Sequence, residues 1–336
     1  MKCANGKATG VGINLTTRSR NVLIYFEGGG ACWDALTCYK AQMASFVASG
    51  YGRTEFDKDI QRSMLPLMRA EPQNPFKDFS YVFVPYCTGD FHVGDNIVTH
   101  TVEGADAGGS VQTHFVGGRN VQAVLDRVVA TFRDAEQVWI GGVSAGGYSV
   151  LANFWRFKAA FPNTLRGVIN DSGPPIQPRD ELWAAWKSAW NWQPPPGCSE
   201  CDARLEAYLD HDHALSPNTR FGLFSYEDDP AIAGYFGITR EQLVQAGAGQ
   251  LPPGTRLGYS ADEFAARLTD VEHHMDALGA NNRYMIRPNS SAGLVQHLVL
   301  LDQRAVSPFA QAPSPDLWKW LQRMYTGGPE WVNVTP

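Results

Sequence analysis

The chain has 336 residues, 44% of them hydrophobic and 18% charged, which is the composition of a globular protein with one large α/β domain or two smaller ones. A net charge of −6 without a long basic run argues against nucleic acid or an anionic membrane as a partner, and there is no apolar run of the length a transmembrane helix needs. Six cysteines, with close pairs at Cys32/Cys38 and Cys198/Cys201, fit a disulfide-bonded exported protein whose signal peptide lies before this numbering; zinc is the rival reading of Cys198-Ser199-Glu200-Cys201, which lacks a second pair at zinc spacing.

In chain order, residues 21–26 form an apolar run closed by Glu27-Gly28-Gly29-Gly30. The run predicts a buried parallel strand, and the glycine loop after it has backbone amides suited to an oxyanion. A phosphate cradle is the alternative, but the Walker lysine and the Gly-x-Gly-x-x-Gly spacing are both missing. Residues 35–47 read as a helix and 81–86 as a strand. The polar 87–95 loop follows, where His92 and Asp95 are either site-wall residues or plain loop hydrogen-bonders. Residues 118–132 place Val121, Val124, Leu125, Val128, Val129 and Phe132 on one helical face.

Residues 137–140 predict a strand and 148–161 a helix, with Gly142-Val143-Ser144-Ala145-Gly146-Gly147 between them. Strand, glycine-flanked turn and helix are the context of a nucleophile elbow, in which a tight turn lifts a serine hydroxyl above the sheet. A glycine-rich turn that only packs is the bland alternative. Residues 165–170 are a further strand, ending in Asp171-Ser172-Gly173. The alternation of strand and helix from 21 to 173, without repeat or linker, indicates one doubly wound, mostly parallel α/β sheet. Residues 174–218, with Trp183, Trp186, Trp190, Trp192 and a Pro194-Pro195-Pro196 run, read as a cap inserted into a single 1–336 domain, either a lid or packed decoration. Asp210-His211-Asp212-His213 has metal-ligating residue types but reads as solvated loop, and one of His273 and His274 should face solvent on its helix.

Residues 220–225 resume the sheet, and Ser260-Ala261-Asp262-Glu263 is a capping box for a helix burying Phe264, Leu268, Val271, Met275 and Leu278. Residues 282–287 form the last strand, 290–297 the loop after it, and a final helix starts at Ser314-Pro315. A nucleophile, an acid and a histidine thus follow three strands in the order of an α/β-hydrolase: Ser144, then Asp229 or its neighbour Asp228, then His297. Asp229 is favoured because it precedes Pro230 in an Asp-x-x-Ile turn. His297 would take the proton from Ser144, the aspartate would orient the ring, and the N–H groups of Ala145, Gly29 and Gly30 would bind the oxyanion.

Tyr25-Phe26-Glu27-Gly28-Gly29-Gly30-Ala31-Cys32, Val84-Pro85-Tyr86-Cys87, the Ser-Ala-Gly-Gly elbow, Asp171-Ser172-Gly173 and the opening Cys3-Ala4-Asn5-Gly6 together resemble the pectin acetylesterase and Notum family. The resemblance implies a secreted carboxylesterase of α/β-hydrolase fold without metal or cofactor, using the triad above, and disulfides Cys3–Cys87 and Cys32–Cys38. The family's tryptophan after the paired glycines is Gly30 here, with Trp33 displaced. The expected activity is removal of short acyl groups, acetyl foremost, from an acylated carbohydrate. The alternatives are an esterase of lipid or polyester acyl bonds, a non-catalytic binding protein on the same fold, and a metal-dependent deacetylase.

Overall fold

The computed structural model describes residues 1–59, 64–101, 109–252, 254–287, 296–305 and 313–336. Nine strands lie within these residues: β1 (Gly12–Asn14), β2 (Val22–Phe26), β3 (Ser80–Val84), β4 (Asn96–Thr101), β5 (Ser110–Phe115), β6 (Val138–Val143), β7 (Leu165–Asp171), β8 (Arg220–Tyr226) and β9 (Asn281–Ile286). Seven make one sheet in the order β1-β3-β2-β6-β7-β8-β9, parallel except for β1, which pairs antiparallel with β3. β4 and β5 pair separately as an antiparallel ribbon.

The six parallel strands are the apolar runs read from the sequence, each displaced by no more than a few residues. They are continuous runs because both faces are covered. Val22, Ile24 and Phe26 face one core, with Val84, Ile140, Val168 and Leu223, while Leu23 and Tyr25 face the other, with Trp139, Ile169 and Phe224. Side chains alternate across a strand, so each run feeds both layers.

The helices are α1 (Arg53–Asp59), α2 (Gly117–Thr131), α3 (Ala145–Ala152), α4 (Phe154–Ala160), α5 (Asp180–Trp190), α6 (Ala207–Leu215), α7 (Pro230–Gly237), α8 (Arg240–Gly247), α9 (Ala261–Ala277) and α10 (Pro315–Thr326). The α9 capping box forms between Ser260 and Glu263, and Phe264, Leu268, Val271 and Met275 are buried as the spacing predicts. Leu278 falls just past the helix end. α10 starts from a Ser314 cap and stops at Gly327, sending Trp320, Leu321 and Met324 onto the second face.

Several expectations are corrected. Residues 35–47 are not a helix: a single wide turn, Leu36–Lys40, is held by the Cys32–Cys38 bond, and Gln42 and Phe46 take positive φ of 49° and 61°. The helix expected over 148–161 begins earlier and breaks at Asn153, where φ −107° and ψ 3° leave the helical range and the side chain donates to the carbonyls of Ser149 and His92. Val129 lies outside the buried face of α2. Asp210 to His213 lie on α6, not in a solvated loop; Asp212 is buried there and Asp210 meets His274 at 2.9 Å, leaving His273 exposed. β1 and the β4–β5 ribbon have no counterpart in the sequence reading. Residues 290–295 of the loop expected before His297 lie outside the described residues.

Cys3–Cys87, Cys32–Cys38 and Cys198–Cys201 are disulfides, so the last pair is bonded to itself and not poised for zinc. Among the described residues no helix is long and apolar enough to cross a membrane.

Candidate active site

The C-terminal ends of the parallel strands converge at one edge, as in other open α/β sheets. Ser144 sits there between β6 and α3, with φ 55° and ψ −119°. A non-glycine residue in that region is strained and persists only where its surroundings hold it. Its N–H donates to the Asp171 carbonyl at 2.7 Å, and its own carbonyl accepts from Gly147 N at 2.8 Å. Close packing explains the flanking glycines: a Cβ on Gly142 would lie 2.2 Å from the Gly146 carbonyl oxygen, and one on Gly146 would lie 2.1 Å from that of Phe26.

His297 Nε2 lies 2.8 Å from Ser144 Oγ, and His297 Nδ1 lies 2.7 Å from Asp229 Oδ2. Asp229 caps α7: its Oδ1 accepts from the N–H groups of Ala231 and Ile232, both at 3.0 Å, with Pro230 at the first helical position. Asp228 turns the other way and makes a two-point ion pair with Arg256 at 2.6 and 3.0 Å. The capping geometry therefore separates two adjacent aspartates that the sequence left open. Asp229 is fully buried and His297 remains 18% exposed. Burial alone would lower the His297 pKa, but the charge and hydrogen bond of Asp229, and the charge of Asp171, outweigh it and raise it above the usual imidazole range. With Nδ1 against a carboxylate, the neutral ring carries its proton there and offers Nε2 as acceptor to the Ser144 hydroxyl.

The glycine loop after β2 lies against this elbow. A Cβ on Gly28 would fall 2.8 Å from Ser144 Cβ and 3.2 Å from Ala145 N. The carbonyls of Gly29 and Gly30 accept from Ser45 N and Tyr86 Oη, each at 2.8 Å. The N–H groups of Gly29, Gly30 and Ala145 donate to nothing among the described residues; that of Ala145 opens α3 and has no partner within the helix. A Cβ on Gly30 would lie 2.3 Å from the Tyr235 hydroxyl and 2.1 Å from the Met43 carbonyl oxygen, so the space a larger residue would need is filled.

His92 and Asp95 go different ways. Asp95 is exposed and pairs with Arg119. His92 is buried behind the glycine loop, with Nε2 3.0 Å from the Glu27 carbonyl oxygen; burial pushes its pKa down to about 4, so it is neutral and donates. Asp90 braces the same turn, accepting from Thr88 Oγ1, Gly117 N and His92 N, and burial raises it to about 6. Asp171 and Ser172 were visible only as part of a motif, yet both touch the histidine segment. Asp171 Oδ1 accepts from Val299 N and Oδ2 from Leu300 N, both at 2.9 Å, and the Ser172 hydroxyl meets the His297 carbonyl.

The tryptophans of residues 174–218 point inward. Trp186 and Trp190 stack 5.4 Å apart, both meet Phe91, and Phe91 stacks on Tyr148 of α3. Trp190 Nε1 donates to the Cys32 carbonyl at 2.9 Å.

A mostly parallel sheet, a strained serine on a strand-to-helix elbow and a histidine carried after the last strand are the features of the α/β-hydrolase class. The chain belongs to the pectinacetylesterase family, whose profile matches residues 2–181, more than half of its length. It is 30% identical over 182 residues to a palmitoleoyl-protein carboxylesterase, notum2, of Xenopus laevis, covering 51% of this chain and 34% of that one. It is 28% identical over 177 residues to pectin acetylesterase 11 of Arabidopsis thaliana, covering 52% of this chain and 40% of the relative. The matches thus span about half of this chain and well under half of these relatives. The fold matches that of the Wnt deacylase Notum from Drosophila with a TM-score of 0.63 at 16% identity, over 99% of this chain and 92% of that chain.

Proposed function

We propose that this protein is an exported serine carboxylesterase that removes short acyl groups, acetyl foremost, from polysaccharide. The observation that carries the reading is the unbroken relay from Ser144 Oγ to His297 Nε2 at 2.8 Å and from His297 Nδ1 to Asp229 at 2.7 Å, on a strained elbow beside amides that have no partner among the described residues.

Ser144 Oγ attacks the ester carbonyl carbon as its proton passes to His297 Nε2. The negative charge that develops on the carbonyl oxygen is taken by the N–H groups of Ala145, Gly29 and Gly30. Each such donor supports the transition state by about 3 kcal/mol. Collapse of the tetrahedral intermediate breaks the bond to the alcohol oxygen, which leaves with the proton from His297. Water then attacks the acyl-enzyme with His297 as base, and the acid departs. Asp229 keeps the imidazole oriented and stabilises its cation. No step draws on a metal or cofactor.

At Gly30 the Met43 carbonyl and the Tyr235 hydroxyl occupy the space a side chain would need; the short-acyl assignment itself follows the pectin acetylesterase relative. We read residues 174–218 as a cap whose tryptophans pack inward, Trp186 and Trp190 on Phe91, which stacks on Tyr148 of the helix that follows Ser144. Export is supported by the three disulfides. The relatives named for protein palmitoleoyl esters and for pectin acetate mark the two substrate classes to separate.

The test is hydrolysis of p-nitrophenyl esters from acetate to palmitate, and of acetylated pectin, by wild type and Ser144→Ala. Highest activity on acetate, lost in the variant, is the expected result. Preference for palmitate would overturn the short-acyl assignment, and an active Ser144→Ala would overturn the triad.

A further inference from the structure

Ser144 and Ser172 occupy matching places at the C-terminal ends of the neighbouring strands β6 and β7. Both take positive φ, 55° and 58°, and each N–H crosses to the next strand, Ser144 to the Asp171 carbonyl and Ser172 to that of Phe224, at 2.7 Å each. Strain of this kind away from the nucleophile itself points to a geometric demand. Asp171 is fully buried, and its side chain and main chain do different things. The carbonyl holds the elbow through Ser144 N. The carboxylate reaches 128 and 129 residues along the chain to take the N–H groups of Val299 and Leu300. The Ser172 hydroxyl lies between Asp171 Oδ1, at 2.8 Å, and the His297 carbonyl, so its single proton is shared by two acceptors. One residue pair therefore touches both the segment that carries the nucleophile and the segment that carries the histidine.

We propose that Asp171 and Ser172 are positioning residues that clasp the His297 segment onto the Ser144 elbow, with the Asp171 carboxylate acting as a second negative charge on the imidazole. The inference rests on the esterase reading above. The titratable groups facing Asp171 are His297, Tyr25 of β2, Tyr226 of β8 and, beyond the imidazole, Asp229. Among the described residues no lysine or arginine pairs with Asp171, so backbone amides and the Ser172 hydroxyl alone offset its charge until His297 takes a proton. Burial raises Asp171 to about 6, and its charge in turn raises His297. Both shifts have the same sign for activity, which needs an ionised clasp and a neutral imidazole.

The experiment compares wild type, Ser144→Ala, Asp171→Asn and Ser172→Ala on p-nitrophenyl acetate across pH, with thermal melting and the rate of Ser144 labelling by a fluorophosphonate. Asp171→Asn is expected to lower kcat about tenfold to a hundredfold. It should keep KM within about twofold and move the acid limb of the pH profile to lower pH, because His297 loses a neighbouring negative charge. Ser172→Ala keeps the carboxylate but removes a hydrogen bond that favours its ionised form; it should lower kcat by a few-fold and move the limb to higher pH, opposite to Asp171→Asn. An Asp171→Asn protein with wild-type kcat, or one with lowered kcat and an unmoved limb, overturns the clasp. If Asp171→Asn does not fold, Ser172→Ala decides, and an unchanged kcat sinks the proposal. A wild type that neither hydrolyses the ester nor takes the label sinks the esterase reading and the clasp with it. An active wild type with a dead Ser144→Ala and a normal Asp171→Asn sinks the clasp alone.

Discussion

Asp228 and Asp229 are chain neighbours with opposite surroundings, and a residue-level test follows directly. Asp229 is buried against His297, whereas Asp228 is partly exposed against Arg256. Asp229→Asn should keep the cap on α7 through its amide oxygen but present the wrong hydrogen-bonding partner to Nδ1, lowering kcat by about 10⁴-fold. Asp228→Asn removes only a surface ion pair, worth about 0–1 kcal/mol, and should leave kcat within about twofold. Equal losses in the two variants would remove the distinction. A second outcome concerns pH. His297 must be neutral to accept a proton and its pKa is raised, so kcat/KM should fall on the acid side from a midpoint above the ordinary value of about 6.5; a midpoint below it would contradict the coupling to Asp229 and Asp171. The meeting of Ser144, Asp229 and His297 was legible in the sequence because each follows an apolar run, and parallel strands deliver their ends to one edge. Asp171 and Ser172 were legible only as a motif. Nothing in periodicity or spacing says which backbone amides a carboxylate will meet 128 residues away.

At the scale of elements, the six parallel strands were readable because burial on both faces writes itself as unbroken apolar runs. β4 was not: its residues alternate between partial burial and exposure, and its partner β5 was needed to make it a strand. The segment 35–47 misled for the opposite reason, since local helical character was overridden by a disulfide across six residues. The turn behind the glycine loop is where an element-level prediction can be made. His92 is neutral in the fold at about 4 and would titrate near 6.5 when unfolded. A depressed folded value means that its stabilising contribution is present above pH 6.5 and is lost as the pH falls through 4. By pH 5 that loss is about 2 kcal/mol. Asp90, raised to about 6, works with the opposite sign, its burial costing most above that pH, but it is common to both proteins in a comparison. Urea unfolding of wild type and His92→Gln should therefore show the stability advantage of wild type shrinking by about 2 kcal/mol from pH 7 to pH 5. A constant difference would mean that His92 takes up its proton at the same pH in the fold as in the unfolded chain.

On the scale of the whole molecule, the site is assembled from residues between Gly28 and His297, so the long-range ties decide how well it holds. The Cys3–Cys87 bond spans 84 residues and anchors the N-terminal segment to the loop after β3, where Ala4 N donates to the Cys87 carbonyl and His114 N to that of Ala4. Closing a loop of that length restricts the unfolded chain by about 4–5 kcal/mol on the chain-entropy account, against roughly 2 kcal/mol for loops as short as those of Cys32–Cys38 and Cys198–Cys201. The pairs should therefore separate stability from activity. Replacing Cys3 and Cys87 by alanine should lower Tm by roughly 6 °C for a chain of this size. Replacing Cys198 and Cys201 should lower it by less than half as much and leave ester hydrolysis intact at 25 °C. Cys32 and Cys38 form the informative third pair. Their bond holds the segment that follows Gly30, with Cys32 N–H on the Gly89 carbonyl and the Cys32 carbonyl on Trp190 Nε1. Its loss should cost little in Tm but lower kcat, because the amides of Gly29 and Gly30 would no longer be held in place. If all three double variants melt together, loop closure is not what these bonds contribute. If the Cys32/Cys38 variant melts low but turns over normally, the glycine loop is held by its hydrogen bonds, those of Tyr86 and Ser45 among them, and the disulfide beside it serves the fold and not the site.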